Sequence, residues 1–183
     1  MTPRGHEQAS WLADNWPARP ELIVYSPYVR TRLTAAPMLA RYPLVPHEEW
    51  PVHEFTFLTR GAAKGTTIED RKQLARPYWA AMDPMLELGD GGESFACFHE
   101  RIAAALARAA RPRKEGGPLV IFTHNRVLLL LMQMVMMPPR DAEEAMRRLY
   151  ATLGVWEVGN CGVVRMLVDD EGRVTMGRFG VGE

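Results

Sequence analysis

The sequence predicts an α/β fold organised on a mainly parallel sheet. Two short apolar runs carry the prediction: "ELIVYS" at Glu21–Ser26 and "LVIFT" at Leu119–Thr123. Both are rich in branched residues, the composition of buried strands. Helical patterns alternate with them, which implies crossover connections and parallel pairing. The 183 residues, 47% hydrophobic and 24% charged, are enough for one domain with an apolar core. The reading is therefore one domain over residues 1–183, with a loop and helix excursion at about 41–92.

Taken in order, a helical pattern runs from Arg4 to about Asn15, and the first strand follows at Glu21–Ser26. Ser is a favoured N-cap and Pro a favoured first helical residue. Ser26-Pro27 therefore predicts a helix reaching about Leu39. The Pro-rich stretch Arg41–Thr67 reads as loop, with a short strand near Val52–Phe57. "TIEDRKQLARPYWAAMDPMLELGDGG" reads as short helical pieces closed by Gly89, Gly91 and Gly92. In "ESFACFHERIAAALARAA", Phe95, Phe98, Ile102, Leu106 and Ala109 fall at three- and four-residue steps, an amphipathic helix. "RPRKEGGP" breaks it before the second strand.

"HNRVLLLLMQMVMM" then reads as a helix stopped by Pro138-Pro139. "DAEEAMRRLYATLG" reads as another, with Asp141 and Glu144 spaced as a capping box and Gly154 as its stop. "GVVRMLVDDEGRVTMGRF" reads as two strands joined by a turn at Asp169–Gly172.

Composition narrows the function classes. Lys plus Arg equals Asp plus Glu, 22 against 22, so nothing points to a nucleic-acid coat or an anionic membrane surface. The run from Leu119 to Met137 is long and apolar, but His124, Asn125, Arg126 and Gln133 interrupt it. An arginine in mid-bilayer costs about 2.5–3.5 kcal/mol, so a buried strand and helix are the better reading. The N-terminus has no apolar signal region. Two cysteines, Cys97 and Cys161, are too few for a disulfide scaffold and suggest mostly buried free thiols. The expectation is a cytoplasmic protein.

In parallel sheets, ligands bind beyond the carboxyl ends of the strands. After the first strand stands "SPYVRTRLTAA", with Arg30 near the start of a helix. After the second stands "THN", with His124 where strand meets helix. Helix N-termini attract phosphate-like anions, and an arginine fork holds phosphate oxygens bidentately. Arg30 and His124 are thus candidate anion-binding residues. "HEEWPVHE" gathers His47, Glu48, Glu49, His53 and Glu54, but matches no helical zinc motif, and its proline bars a helix. No metal site is expected.

These strand ends resemble the histidine phosphatase superfamily, also called phosphoglycerate mutase-like. The likeness rests on "MTPRGHEQASWLA", "SPYVRTRLTA", a glutamate in "PVHEF", "GESF" before a helix, and "THN" after an apolar strand, in that order along nearly the whole chain. It implies a three-layer α/β sandwich and a phosphomonoester hydrolase needing no metal or cofactor. Arg30 would grip the phosphate, His124 would be the second pocket histidine, and Glu54 would protonate the leaving alcohol. Such chemistry depends on positioning, on cations around the equatorial oxygens and on a proton for the leaving oxygen.

In that family, the "MTPRG"-like motif follows a first strand ending in Arg-His-Gly, whose histidine is the nucleophile. The expectation is that this chain begins after that central strand. His6 in "RGH" is expected to be a solvated helix residue. Two readings follow: an enzyme working through phosphohistidine once that segment is restored, or an inactive pseudophosphatase that binds a phosphorylated ligand or partner. Loss of a central strand also leaves backbone groups without ladder partners, so self-association through the open sheet position is expected. Glu93 is read as a carboxylate complementing a helix dipole. Asn125 stands where the family has glycine, and Asn160 is read as structural.

Overall fold

A computed structural model of the protein describes residues 1–58, 65–89, 91–111 and 116–177. Helix α1 spans Pro3–Asp14, capped by Thr2, whose hydroxyl accepts from the Gly5 N–H. Strand β1 is Leu22–Tyr25 and helix α2 is Val29–Arg41. Strand β2 is His47–Glu49, and helix α3, Ile68–Ala81, opens on a capping box between Thr67 and Asp70. Helix α4 is Phe95–Ala109, strand β3 Leu119–Phe122 and helix α5 Asn125–Met136. Helix α6, Ala142–Thr152, precedes the antiparallel pair β4, Met166–Val168, and β5, Val174–Met176.

The main sheet is parallel, in the order β2-β1-β3. Ile23 pairs with His47 and Val120, and Tyr25 with Glu49 and Phe122. Strand residues alternate between two apolar layers, as period-two geometry requires. Ile23, Val120 and Phe122 pack with Leu12, Ala13, Ala35 and Met38 of α1 and α2. Val24, Leu119 and Ile121 pack with Phe98, Ile102, Val127, Leu130 and Met146 of α4, α5 and α6. Helices thus cover both faces of the sheet, giving three layers. An aromatic cluster fills the second layer, centred on Phe55, which stacks on Phe98 at 4.7 Å between ring centroids.

Several expectations changed on folding. The strand after α2 is His47–Glu49 rather than Val52–Phe57. Val52, Phe55 and Phe57 are buried plugs of the aromatic cluster, and residues 52–57 enter no strand ladder. Ser26 does not cap α2; Tyr28 holds the N-cap position, because the Ser26 hydroxyl is committed elsewhere. Cys97 is exposed, not buried, and Cys161 is half-buried; both are free thiols. The excursion contains one 14-residue helix, α3, rather than short pieces. Residues 59–64 and 90 of that excursion, 112–115 of the break before β3 and the end of the last predicted strand beyond 177 lie outside the described residues.

Among the described residues, β3 pairs only with β1. Along its other side runs a groove of about 540 Å³, walled by β3, α1 and residues 157–164. No helix among the described residues is long and apolar enough to cross a membrane.

Candidate active site

Parallel pairing brings the carboxyl ends of β1 and β3 side by side. The Ser26 N–H donates to the Phe122 carbonyl at 3.1 Å, carrying the ladder one step past β1. The next residues out are Ser26 and His124. His124 is the extended N-cap of α5 and only 6% exposed. Arg30 reaches the same point from the first turn of α2, with its side chain exposed.

Arg30 donates to His124 Nδ1 through Nε at 3.1 Å and Nη2 at 2.8 Å. Arginine has no acceptor, so Nδ1 must be the lone-pair nitrogen. The ring proton then lies on Nε2 and is donated to Ser26 Oγ, 2.7 Å away. Thr31 Oγ1 lies 2.8 Å from Ser26 Oγ and itself donates to the carbonyls of Ser26 and Tyr28. Ser26 therefore donates to Thr31. Each hydroxyl and ring proton has one direction that satisfies it, so the chain Arg30–His124–Ser26–Thr31 fixes the tautomer. Burial, with the Arg30 charge second and His53 and Arg101 after it, pushes the His124 pKa down to about 3. The ring is neutral near pH 7.

Tyr28 fills the space around this pair. Its ring stands edge-on to His124 with centroids 5.2 Å apart, and the Arg30 guanidinium lies 4.8 Å over its face. His53 packs against the same tyrosine at 5.8 Å. Burial and the Arg101 charge lower the His53 pKa, against an opposing pull from Glu93.

Glu54 follows His53 in the loop at 51–56 and lines the groove with Arg30 and His124. It is half-buried, and its Oε1 accepts from the Phe55 N–H at 2.9 Å. All three residues singled out from the sequence thus border one cavity, of a volume usual for small-ligand sites. The Asn125 carboxamide accepts from the Val158 N–H at 3.0 Å and anchors a wall of the groove. Asn160 and Cys161 lie on that wall, and Cys161 adopts a left-handed backbone at φ 58°. His6 is exposed on α1. Among the described residues, no three His, Cys, Asp or Glu side chains cluster as metal ligands.

Reading the sequence missed Ser26, Thr31 and Tyr28 as partners of His124, and it misread Glu93. Glu93 is not a dipole ornament, since Ser94 caps α4. Its carboxylate takes Nε and Nη2 of Arg101 at 2.5 and 2.9 Å, with both side chains 13% exposed. The eight-residue spacing across a helix start was the one signal available for that pair.

Comparison with known proteins adds the family context. The sequence matches the family profile of the histidine phosphatase superfamily (branch 1) over residues 1–174. A search of curated proteins gives no match. Among solved structures, the α-ribazole phosphatase of Shigella flexneri is similar at 22% identity and TM-score 0.70, covering 100% of this chain and 87% of that one. YhfR of Bacillus stearothermophilus is similar at 23% identity and TM-score 0.71, covering 96% and 82%. The mycobacterial glucosyl-3-phosphoglycerate phosphatase Rv2419c follows at 21% identity and TM-score 0.61, covering 100% and 86%.

Proposed function

The chain belongs to the histidine phosphatase superfamily, and from that premise we propose that its groove binds phosphate monoesters and serves their hydrolysis. The observation that carries this reading is the Arg30 fork resting on His124 Nδ1 at 2.8–3.1 Å, beside a cavity that Glu54 also borders. Two of the five guanidinium N–H groups are engaged there, and the others remain for oxygens of a phosphoryl group.

His124 then changes role when an anion arrives. Its Nε2 proton is bound to Ser26, so only Nδ1 faces the site. A bare lone pair opposing a phosphate oxygen is repulsive. As Arg30 turns from Nδ1 to the anion, Nδ1 takes a proton and donates it to a phosphoryl oxygen. Anion capture and proton uptake are linked, because each removes a cost that the other state would bear.

In hydrolysis, a nucleophilic imidazole attacks phosphorus while the P–O bond to the leaving group breaks and Glu54 gives that oxygen its proton. Water then cleaves the phosphohistidine, returning a proton to the Glu54 carboxylate and releasing phosphate. Arg30 and His124 hold the equatorial oxygens throughout. The attacking imidazole belongs to the Arg-His-Gly segment of the family resemblance. His124 is the one histidine lining the groove among the described residues, which favours a second reading: a pseudophosphatase that holds a phosphorylated small molecule without turnover. The similarity to an α-ribazole phosphatase and a glucosyl-3-phosphoglycerate phosphatase supports a small phosphorylated metabolite in either case.

The test is phosphate release from an aryl phosphate by this chain and by the same chain extended with an N-terminal strand ending in Arg-His-Gly, with binding of the same compound followed in parallel; turnover is read in the extended chain. Turnover abolished by Arg30→Met and His124→Gln supports the hydrolase. Binding without turnover, lost in the same variants, supports the pseudophosphatase. Neither binding nor turnover refutes both.

A further inference from the structure

We propose that the buried Glu93–Arg101 pair is a positioning clamp for the loop that carries Glu54. This rests on the reading of Glu54 as the proton donor. Residues 52–57 enter no strand ladder, so nothing in regular secondary structure fixes their path. Polar groups of residues 51, 54 and 56 go instead to this pair. Arg101 Nη1 donates to the Pro51 carbonyl at 2.8 Å, and Nη2 approaches the Glu54 carbonyl at 3.5 Å. Glu93 Oε2 accepts from the Thr56 N–H at 3.3 Å and lies 3.5 Å from the Thr56 hydroxyl. The Glu93 N–H donates to the Thr56 carbonyl at 3.0 Å.

The pair is seated on a rigid base. The Arg101 guanidinium lies 4.8 Å over the ring of Phe98, which is fully buried one turn earlier on α4. On the far side of the loop, the Thr123 hydroxyl donates to the Val52 carbonyl at 2.6 Å. Thr123 immediately precedes His124. The loop is thus tied at 51 and 54 to Arg101 of α4, at 56 to Glu93 just before that helix, and at 52 to the strand end that presents His124.

Burying two charges is costly, and an apolar pair of similar volume often holds a fold as well. The forked guanidinium offers something that an apolar pair lacks: several N–H vectors fixed in one plane, aimed at chosen backbone carbonyls. A lysine would keep the charge and lose the fork. The pair touches no residue of the Arg30–His124 contact, so Arg101 acts on Glu54 by holding its backbone.

The experiment compares the wild type with Arg101→Met, Arg101→Lys, Glu93→Gln and Glu54→Gln by hydrogen–deuterium exchange, and follows the Glu54 carboxyl carbon by NMR as orthophosphate is added. In Arg101→Met, amide exchange across 51–58 is expected to rise about tenfold, with β1 and β3 still protected. In Arg101→Lys, which keeps the charge that Arg101 exerts on His124, orthophosphate affinity is expected to stay within about threefold of the wild type. The Glu54 resonance, responsive to orthophosphate in the wild type, is expected to fall silent. Arg101→Lys is expected to behave like Arg101→Met, and should Arg101→Met not fold, Arg101→Lys and Glu93→Gln carry the test.

Unchanged exchange at 51–58, or exchange rising equally across the sheet, overturns the clamp. A Glu54 resonance that ignores orthophosphate in the wild type, with loop exchange still dependent on Arg101, overturns the role of Glu54 and leaves the clamp standing. Glu54→Gln is expected to leave loop exchange as it is; a loosened loop in that variant counts against the clamp.

Discussion

Acidification from pH 7.5 to 5 should weaken the folded state through His124. In the fold its pKa is about 3, against 6.5 for an unperturbed imidazole. The folded value lies below the unfolded one. The unfolded chain therefore binds the proton first, and stability is full above pH 6.5 and falls as pH drops toward 3. At pH 5 the unfolded ring is almost wholly protonated while the folded ring is neutral. One and a half pH units at about 1.36 kcal/mol each give about 2 kcal/mol. For a domain of this size that is a fall of about 4–8 °C in Tm. The assay is urea unfolding of the wild type and of His124→Gln at both pH values. His53 and His99, whose pKa values burial also lowers, and the carboxylates contribute to both proteins and cancel in the difference. The wild type should lose about 2 kcal/mol more than the variant. Equal losses, or an NMR titration placing His124 near 6.5 in the folded protein, would refute the reasoning.

Two further outcomes follow from the same geometry. Ser26→Ala leaves the buried His124 Nε2–H without its acceptor, and should destabilise the fold by about 1–3 kcal/mol in urea unfolding; a neutral substitution would show that the ring proton is not on Nε2. The open side of β3 should support self-association, read as a concentration-dependent mass in sedimentation equilibrium. Val164→Lys, on the opposite wall of that groove, should reduce it as edge charges do; a monomer at all concentrations would exclude this contact.

The parts of the fold that could be read from the letters are those with strong local periodicity. The two apolar runs became the central parallel pair, and the i, i+3, i+4 spacing of Phe95, Phe98 and Ile102 became the buried face of α4. The rule that ligands bind at strand ends placed Arg30 and His124 together without any contact being visible in the sequence. What could not be read depends on contacts between distant segments. His47–Glu49 pairs as a strand although it carries three polar residues, because β1 offers it an edge; Val52–Phe57 has the better strand composition, yet its aromatics are drawn into the core. Ser26 looked like a helix cap because local preference was all the sequence offered, while its hydroxyl is used by a histidine 98 positions away. The Glu93–Arg101 pair was hidden for the same reason: half of its purpose lies in loop carbonyls that have no signature of their own.

The central claim is that Arg30 and His124 form one anion cradle in which capture of the anion charges the imidazole. Calorimetric titration with sulfate, which does not itself titrate near neutrality, tests it when run at pH 7 in two buffers of different ionisation enthalpy. The wild type should take up close to one proton per sulfate bound. Arg30→Met should bind at least about tenfold more weakly, the loss of a charge-assisted hydrogen bond worth about 1.5–3 kcal/mol. Sulfate binding with no proton uptake, or equal binding by Arg30→Met, would contradict the account.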